Sequence, residues 1–196
     1  MIRQALFFVQ QRLNAYFKQL YGLSEDKAIL SYMVAPDGSI PNQNTDKVII
    51  NLTNIEHETN VYSRKGYTQS SPDQVLIEKP PIDLNLYVLF AAHFADYQES
   101  LKFLSDTIAF FQTYNSFTHH NSPSLDPNIH KLIFEIDHKL DYQEINYLWG
   151  VIGAKYQPSV HYKVRMLSIR MGELEQVIPT IQQVEEDTQA FRSTKA

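Results

Sequence analysis

An α+β fold is predicted for this chain. Helices pack on a mixed, mostly antiparallel sheet in one domain, the element order is α β β β α β α β, and a tail follows. Apolar residues near the N-terminus recur with the period of a helix, and several later segments alternate as strands do. The tetrapeptide Asp-Tyr-Gln-Glu occurs twice, each time before an apolar helical stripe. A length of 196 residues suits one domain. We expect the domain to cover residues 1–170 and the tail to cover 171–196.

The first predicted element is a helix over residues 2–20, which Gly22 can end because glycine accepts the left-handed conformation. One face of this helix is apolar and carries Ile2, Ala5, Leu6, Val9, Leu13, Tyr16, Phe17 and Leu20. Phe7 and Phe8 make the apolar surface wider than one packing face requires. Two interpretations are open: the helix is buried on two sides in its own domain, or Phe7 or Phe8 contacts a neighbouring subunit.

Alternating apolar residues then predict three strands in succession, over residues 28–34, 48–55 and 84–94. Turn-forming residues at 36–41 separate the first two strands. Residues 58–79 are polar, and a loop of this length in a compact domain is either functional or mobile. We expect a neighbour to order this loop, with Arg64 and Lys65 as its contacts to an acidic partner surface.

Both copies of the tetrapeptide have the form of a capping box, with Asp as N-cap and Glu three residues later. The first copy, at 96–99, precedes the helical stripe Tyr97, Leu101, Leu104, Ile108 and Phe111. The second copy, at 141–144, precedes the stripe Ile145, Leu148, Trp149 and Ile152. Gly153 suits the left-handed residue after this last helix. Strands are predicted over residues 129–136 and 159–169.

The segment 171–196 differs from the rest because it is acidic, is interrupted by Pro179 and holds few large apolar groups. Four of its residues have the spacing of a short helix or strand without a full core face: Val177, Ile178, Ile181 and Val184. We interpret it as a tail that leaves the domain and adds as a strand to the open sheet edge of a partner. A disordered end is the alternative.

Composition excludes several functions. The net charge of −5 does not favour the basic face of a general nucleic-acid binder, so we expect no nucleic acid partner. The chain has no Cys, which rules out disulfides and thiolate metal sites. The N-terminus lacks the features of a signal peptide, and no segment approaches the roughly 20 apolar residues of a membrane span. We therefore expect synthesis and assembly in the cytoplasm.

The chemical motifs of enzymes and cofactor sites are also missing from the sequence. No glycine-rich phosphate loop, nucleophile elbow or metal-ligand spacing occurs. His119 and His120 lie in a predicted polar loop, with His130 and His138 beyond it, and we expect exposed side chains here rather than metal ligands. Glu56 and Glu58, at the end of a predicted strand, are expected to be solvated. The sequence predicts neither an enzyme nor a cofactor or metal site.

Several segments, in this order, resemble the cap, or tail-terminator, family of extracellular contractile injection systems, the phage-tail-like particles of the antifeeding-prophage type. They are residues 2–6 and 13–16 of the first helix, 48–56 (VIINLTNIE), 81–90 (PIDLNLYVLF), 97–112, and 146–166, which holds the only Trp. The resemblance covers about residues 1–170. It implies a fold like that of phage tail terminators.

The resemblance also implies a structural role. Members of this family form a sixfold ring on the end of the inner tube, stop its growth and meet the last layer of the contractile sheath. The implied partners are other copies of the chain, the inner tube protein and the sheath protein, and no cofactor is implied. Two fates of the particle remain open: release from the cell, or anchoring in a membrane.

Interfaces favour aromatic residues, of which this chain has a surplus. The candidate interface residues are Phe7, Phe8, Arg64, Lys65, Tyr67, Val177, Ile178, Ile181 and Val184. An adaptor or chaperone-like binding module of unrelated function is the alternative to the cap role.

Overall fold

A computed structural model describes residues 1–58, 66–71, 74–78, 82–169 and 174–179. The helices are α1 (Ile2–Tyr21), α2 (Tyr97–Thr113) and α3 (Tyr142–Ile152). The strands are β1 (Ala28–Leu30), β2 (Lys47–His57), β3 (Gly66–Ser71), β4 (Gln74–Glu78), β5 (Ile82–His93), β6 (Ser116–Thr118), β7 (Lys131–Ile136), β8 (Ser159–Ile169) and β9 (Leu174–Pro179).

Six of these strands form one sheet in the order β1-β2-β5-β8-β7-β6. Strand β1 runs parallel to β2, and the other neighbours are antiparallel. The predicted fold class, a mixed and mostly antiparallel sheet with helices packed on it, is confirmed. The first strand is shorter than predicted, and the three-residue strand β6 was not predicted because so short a segment carries almost no alternation.

Side chains on the two faces of this sheet belong to two separate apolar clusters. Along β5, Val88 and Phe90 join the large cluster that includes residues of α1 and α2. Leu89 and Ala91 join a smaller cluster around Trp149 of α3. Because successive side chains of a strand point to opposite faces, α1 and α2 cover one face of the sheet and α3 covers the other.

Helix α1 is attached to the edge strand β1 by one buried side chain, Asn14. Its Oδ1 accepts hydrogen bonds from the backbone N–H groups of Lys27 and Ala28 at 2.9 and 2.7 Å, and its Nδ2 donates to the Ala28 carbonyl at 2.8 Å. The amide thus takes the place of a neighbouring strand at this edge. The helix ends as predicted at Gly22, which has a φ of 65°.

Helix α2 buries a face that differs from the predicted one. Its buried residues are Ser100, Phe103, Thr107, Phe110 and Phe111. Of the predicted core stripe only Phe111 is buried, while Tyr97 and Leu101 are exposed. The two hydroxyl residues do not prevent burial because each bonds to the carbonyl four residues earlier, Thr107 to Phe103 at 2.7 Å and Ser100 to Asp96 at 3.3 Å.

Helix α3 agrees with its prediction at both ends. The capping box is complete, since the Asp141 side chain accepts from the Glu144 N–H and the Glu144 side chain accepts from the Asp141 N–H. Gly153 follows with a φ of 73°, in the left-handed region. The predicted box at the start of α2 is only partly formed, because Asp96 caps Gln98 whereas Glu99 pairs with Lys102.

The chain divides into two compact units, one of Met1–Val61 with Ile82–Ile169 and one of Tyr62–Pro81 with Arg170–Ala196. In the second unit, β3, β4 and β9 form an antiparallel sheet in the order β3-β4-β9. The prediction of a loop over 58–79 is therefore wrong for Gly66–Ser71 and Gln74–Glu78. These strands follow the ordinary hairpin pattern, in which turn-forming residues separate two short extended runs.

Candidate functional site

The two phenylalanines proposed as contacts on α1 have different surroundings. Phe7 lies on the outer side of the helix and is 47% exposed. Phe8 is only 4% exposed, and its ring meets Phe117 of β6 edge-on at 5.3 Å between centroids. Phe8 is thus a core residue and is withdrawn from the candidate interface, because a neighbouring subunit could not reach it.

The remaining candidate interface residues fall in the second unit or outside the described residues. Tyr67 belongs to β3, and Val177 and Ile178 belong to β9. Their backbones are paired within the chain, Tyr67 with Ile77, Val177 with Leu76 and Ile178 with Val75. The other four lie outside the described residues: Arg64, Lys65, Ile181 and Val184. The tail was expected to find a partner's sheet, but the segment Leu174–Pro179 pairs with β4 of its own chain.

The outer side of α3 presents an uncharged surface. We call Tyr147, Gly150 and Val151 the α3 surface; all three are exposed, whereas the side chain of Trp149 is buried and faces the sheet. Tyr147 is 73% and Val151 is 87% exposed. Glu144 is the only charged residue of this helix, and its carboxylate is held in the capping box.

A second exposed apolar surface runs along α2. We call it the α2 stripe, and it consists of Tyr97, Leu101, Leu104 and Ile108. Tyr97 is 64% and Leu101 is 43% exposed, and the other two are half-buried. The residues follow one another at intervals of four, three and four positions, the spacing of a seam between packed helices.

Helix α1 packs on the opposite side of α2 and leaves the α2 stripe uncovered. The ring of Tyr21 lies 5.4 Å from Phe103, and that of Tyr16 lies 5.3 Å from Phe110. Tyr21 also donates a hydrogen bond to Asp106. The helical spacing places these α2 residues away from Leu101 and its neighbours.

A polar network crosses the sheet beside α3. Thr53 Oγ1 on β2 donates to the carbonyl oxygen of Tyr87 on β5 at 3.0 Å and lies 2.7 Å from His161 Nε2 on β8. His161 Nδ1 lies 3.0 Å from Asp137 Oδ2, just after β7. Burial lowers the pKa of His161, and Asp137 opposes this effect. A hydroxyl, an imidazole and a carboxylate stand in this order in nucleophilic triads. Here the hydroxyl bonds to a main-chain carbonyl and ties neighbouring strands together.

Carboxylates at the end of β2 extend this polar region. Glu58 is buried, accepts a hydrogen bond from Asn85 Nδ2 at 2.9 Å and lies 3.5 Å from Arg165 Nη2. Glu56 accepts from the Tyr87 hydroxyl at 2.6 Å. Burial and this bond raise the pKa of Tyr87. The expectation that both carboxylates are solvated is wrong for Glu58. The alternation of β5 and β8 is the sequence signal that could have placed Asn85 and Arg165 beside it.

The described residues offer neither a metal site nor a membrane-spanning helix. Among the described residues, no group of three or more His, Asp or Glu side chains could hold a metal ion. None of the helices within the described ranges has the length and apolar content needed to cross a membrane. A cavity of about 180 Å³ lies between α3 and β8, lined by apolar side chains such as Trp149 and Leu148 and by His161 and Asp137.

Comparison with known proteins gives a matching family and several solved structures of similar fold, among them the two described below. The family model described as the Pvc16 N-terminal domain matches residues 7–183. The cryo-EM structure of the sheath/tube terminator of an extracellular contractile injection system, PVC, in its extended state is similar to the whole chain, with a TM-score of 0.68 and 13% identity. The cryo-EM structure of the anti-feeding prophage cap, which terminates the tube, is similar over 98% of the chain, with a TM-score of 0.57 and 11% identity. This chain spans 65% and 60% of those two proteins. No curated protein matches.

Proposed function

The chain belongs to the Pvc16 N-terminal domain family, and we propose that it is the structural cap that terminates the inner tube of a contractile injection particle. The family match over residues 7–183 is the observation that carries this proposal, and it agrees with the resemblance found in the sequence. The fold adds support, since the similar structures are a sheath/tube terminator and a tube-terminating cap.

We further propose that six copies form a ring on the tube end and that this ring holds the last layer of the sheath. A head-to-tail ring requires two unlike surfaces on each subunit. The α2 stripe and the α3 surface meet this requirement, because they lie on opposite faces of the same sheet. The partners are then other copies of the chain, the inner tube protein and the sheath protein.

The proposed role is structural and uses neither a catalytic step nor a cofactor or nucleic acid. The positions that would contact tube or sheath are Phe7, on the exposed side of α1, and residues of the second unit and its surroundings, Arg64, Lys65, Tyr67, Val177, Ile178, Ile181 and Val184. Assembly would take place in the cytoplasm, where tube and sheath subunits are made. The finished particle would carry the cap with it.

Measuring tube length tests this function. Cells that produce the particle without this chain should form tubes of variable, mostly excessive length, because growth is no longer stopped. A plasmid copy of the full chain should restore the normal length, and electron microscopy should find the labelled chain at one end of each particle. Tubes of normal length in cells without the chain would overturn the proposal.

A further inference from the structure

The six-stranded sheet ends in a short strand on each side. Strands β1 and β6 are its two edge strands, and each has three residues. An edge strand presents backbone N–H and C=O groups that can pair with a strand of another chain. The way in which these groups are bonded therefore decides whether the sheet can extend into a partner.

At β6, the pairing with β7 shows which backbone groups point outward. The carbonyl of Asn115, just before β6, accepts a hydrogen bond from the Phe134 N–H of β7 at 2.8 Å. Hydrogen-bonded and non-hydrogen-bonded pairs alternate along an antiparallel ladder. The backbone groups of Ser116 and Thr118 therefore point away from β7, and they are the groups to which a further strand would bind.

The side chain of Asn121 already binds these groups. Its Oδ1 accepts from the Thr118 N–H at 2.8 Å, and its Nδ2 donates to the Ser116 carbonyl at 2.9 Å. The Thr118 carbonyl accepts from the Ser122 N–H at 2.8 Å in the turn that follows β6. One side-chain amide thus supplies the donor and the acceptor that a further strand would supply.

The opposite edge of the sheet is closed in the same way by a different asparagine. The Lys27 carbonyl accepts from the Val48 N–H of β2, so the backbone groups of the next residue, Ala28, point away from β2. Asn14 of α1 accepts from the Ala28 N–H and donates to the Ala28 carbonyl. Two asparagines from distant parts of the chain therefore occupy strand positions at the two edges of one sheet.

We propose that Asn14 and Asn121 are edge guards, side chains that prevent strands of other chains from joining the six-stranded sheet. The shortness of β1 and β6 adds to this effect, since short edge strands offer few groups for pairing. Contacts of this sheet with other copies, or with tube and sheath proteins, then use side chains and loops rather than added strands. The inference concerns how copies of the chain can meet, and it holds whether or not the chain caps a tube.

Of the two edge guards, Asn121 allows the cleaner test. Its side chain is exposed, so replacing it removes little packing. Asn14 is buried, and its loss would destabilise the chain as well as open an edge. A residue that only shapes the turn after β6 would affect stability alone, whereas an edge guard also controls association.

The Asn121→Ala variant opens the β6 edge. We expect it to associate beyond the state of the wild type as the concentration rises, which sedimentation velocity measures. In dilute solution the Thr118 amide hydrogen should exchange on the order of tenfold faster than in the wild type, the equivalent of one lost hydrogen bond. The exchange should slow again in the associated protein, because the amide then pairs with a strand of another copy.

Asn128→Ala is the matched control. Asn128 is an exposed asparagine of the same loop, and its Nδ2 donates to Asp126 Oδ1 at 3.0 Å. This variant should keep the association state and the Thr118 exchange rate of the wild type. Asn121→Asp separates the edge from the turn, because it loses the donor to Ser116 but places a charge at the edge. Charged side chains keep edge strands from pairing, so this variant should not associate.

The outcomes decide between the two roles of Asn121. Association of Asn121→Ala with slowed Thr118 exchange, and no association of Asn121→Asp, would support the edge guards. An Asn121→Ala variant that keeps the wild-type state at every concentration would overturn them. Association that leaves the Thr118 exchange fast, or equal association of the Ala and Asp variants, would also overturn them. Normal tube length in cells without the chain would overturn only the cap function.

Discussion

At the scale of single residues, a few buried side chains join elements that are distant in the sequence. Trp149 attaches α3 to the sheet through Ile49 and Leu89. Asn14 attaches α1 to β1 through three hydrogen bonds. Each of these residues holds one element on the sheet, so replacing it should affect stability more than replacing an exposed neighbour.

Replacing Trp149 with Ala should destabilise the chain by about 3–5 kcal/mol. The indole is 4% exposed and packs in the small cluster under α3 with Met33, Ile49, Leu89 and Ala91. Since small domains have only about 5–15 kcal/mol of stability, we expect insoluble or largely unfolded protein. Urea unfolding measures the loss, with Tyr147→Ala on the exposed side of the same helix as the control. A variant of Trp149 that unfolds like the wild type would remove this residue from the core.

Replacing Asn14 with Leu should cost about 1–3 kcal/mol for the backbone groups of Lys27 and Ala28 that lose their partner. The side chain is buried and its size is nearly kept, so lost hydrogen bonds dominate the change. Thermal unfolding of this variant and of Gln11→Leu, at an exposed position of α1, measures the difference. Equal melting temperatures would contradict the role of Asn14 at the sheet edge.

His161 should make the stability of the chain depend on pH. Burial holds its pKa in the folded state below the ordinary value near 6.5, although Asp137 opposes the shift. The unfolded chain therefore binds the proton more readily. The contribution of the neutral imidazole to the free energy of unfolding is fully present above the unfolded pKa near 6.5. It is lost as the pH falls through the lower pKa of the folded state. Urea unfolding between about pH 7.5 and 5.5 should show a smaller loss for His161→Gln than for the wild type. Parallel losses would mean that His161 does not contribute.

At the scale of elements, α2 shows that one helix can have two apolar faces. Phe103, Phe110 and Phe111 turn one of them to the sheet, and the α2 stripe remains beside it. Strand β9 has one backbone edge hydrogen-bonded, since it pairs with β4. In the part of the chain that the structure describes, β9 is the last strand of its sheet. Each of these two elements thus uses one face or edge for contacts within the chain and has another face or edge that we expect to serve in assembly.

Truncation after Pro179 should give a folded cap that stops tube growth but holds the sheath poorly. This deletion removes Ile181 and Val184, the apolar residues proposed to reach the sheath, and keeps β9 on β4. A longer deletion after Arg170 also removes β9, so it should reduce the stability of the second unit as well. Sheath retention after purification is measured for both. Normal retention by the shorter deletion would show that the end of the tail is not the sheath contact.

At the scale of the whole molecule, the six-stranded sheet separates the two candidate contact faces. Helices α1 and α2 cover one face and α3 covers the other, so the α2 stripe and the α3 surface are exposed on opposite sides of the sheet. The second unit adds β3, β4 and β9 to the assembly surfaces proposed for the cap. Assembly should therefore depend on surface residues that contribute little to folding.

Charge reversal at Arg64 and Lys65 should disturb particle assembly and leave folding intact. Both residues are proposed to contact an acidic surface of the tube or sheath, and reversal would turn attraction into repulsion. Particle yield and tube length report on assembly, and the melting temperature of the free chain reports on folding. Arg3→Glu, on the exposed side of α1, serves as control. Unchanged yield and length in the double variant would contradict the proposal.

The sequence by itself determined the elements whose signals are local. Helix α1, the capping box and glycine end of α3, the burial of Trp149 and the extent of β8 follow from periodicity and cap chemistry within a few residues. The family resemblance, confirmed by the match over residues 7–183, also rests on local segments in a fixed order. Such signals can be interpreted from the sequence alone because each depends only on neighbouring residues.

Only the tertiary structure decided which apolar surface faces inward. Phe8 and Phe7 are adjacent, yet one is core and one is surface, because Phe117 of β6 packs against the first. The α2 stripe has the better sequence pattern for burial, yet the sheet accepts the face with Ser100 and Thr107, whose hydroxyls bond within the helix. Glu58 is buried because Asn85 and Arg165, far away in the sequence, come beside it on β5 and β8. Burial is a property of which elements meet, and no local pattern contains that information.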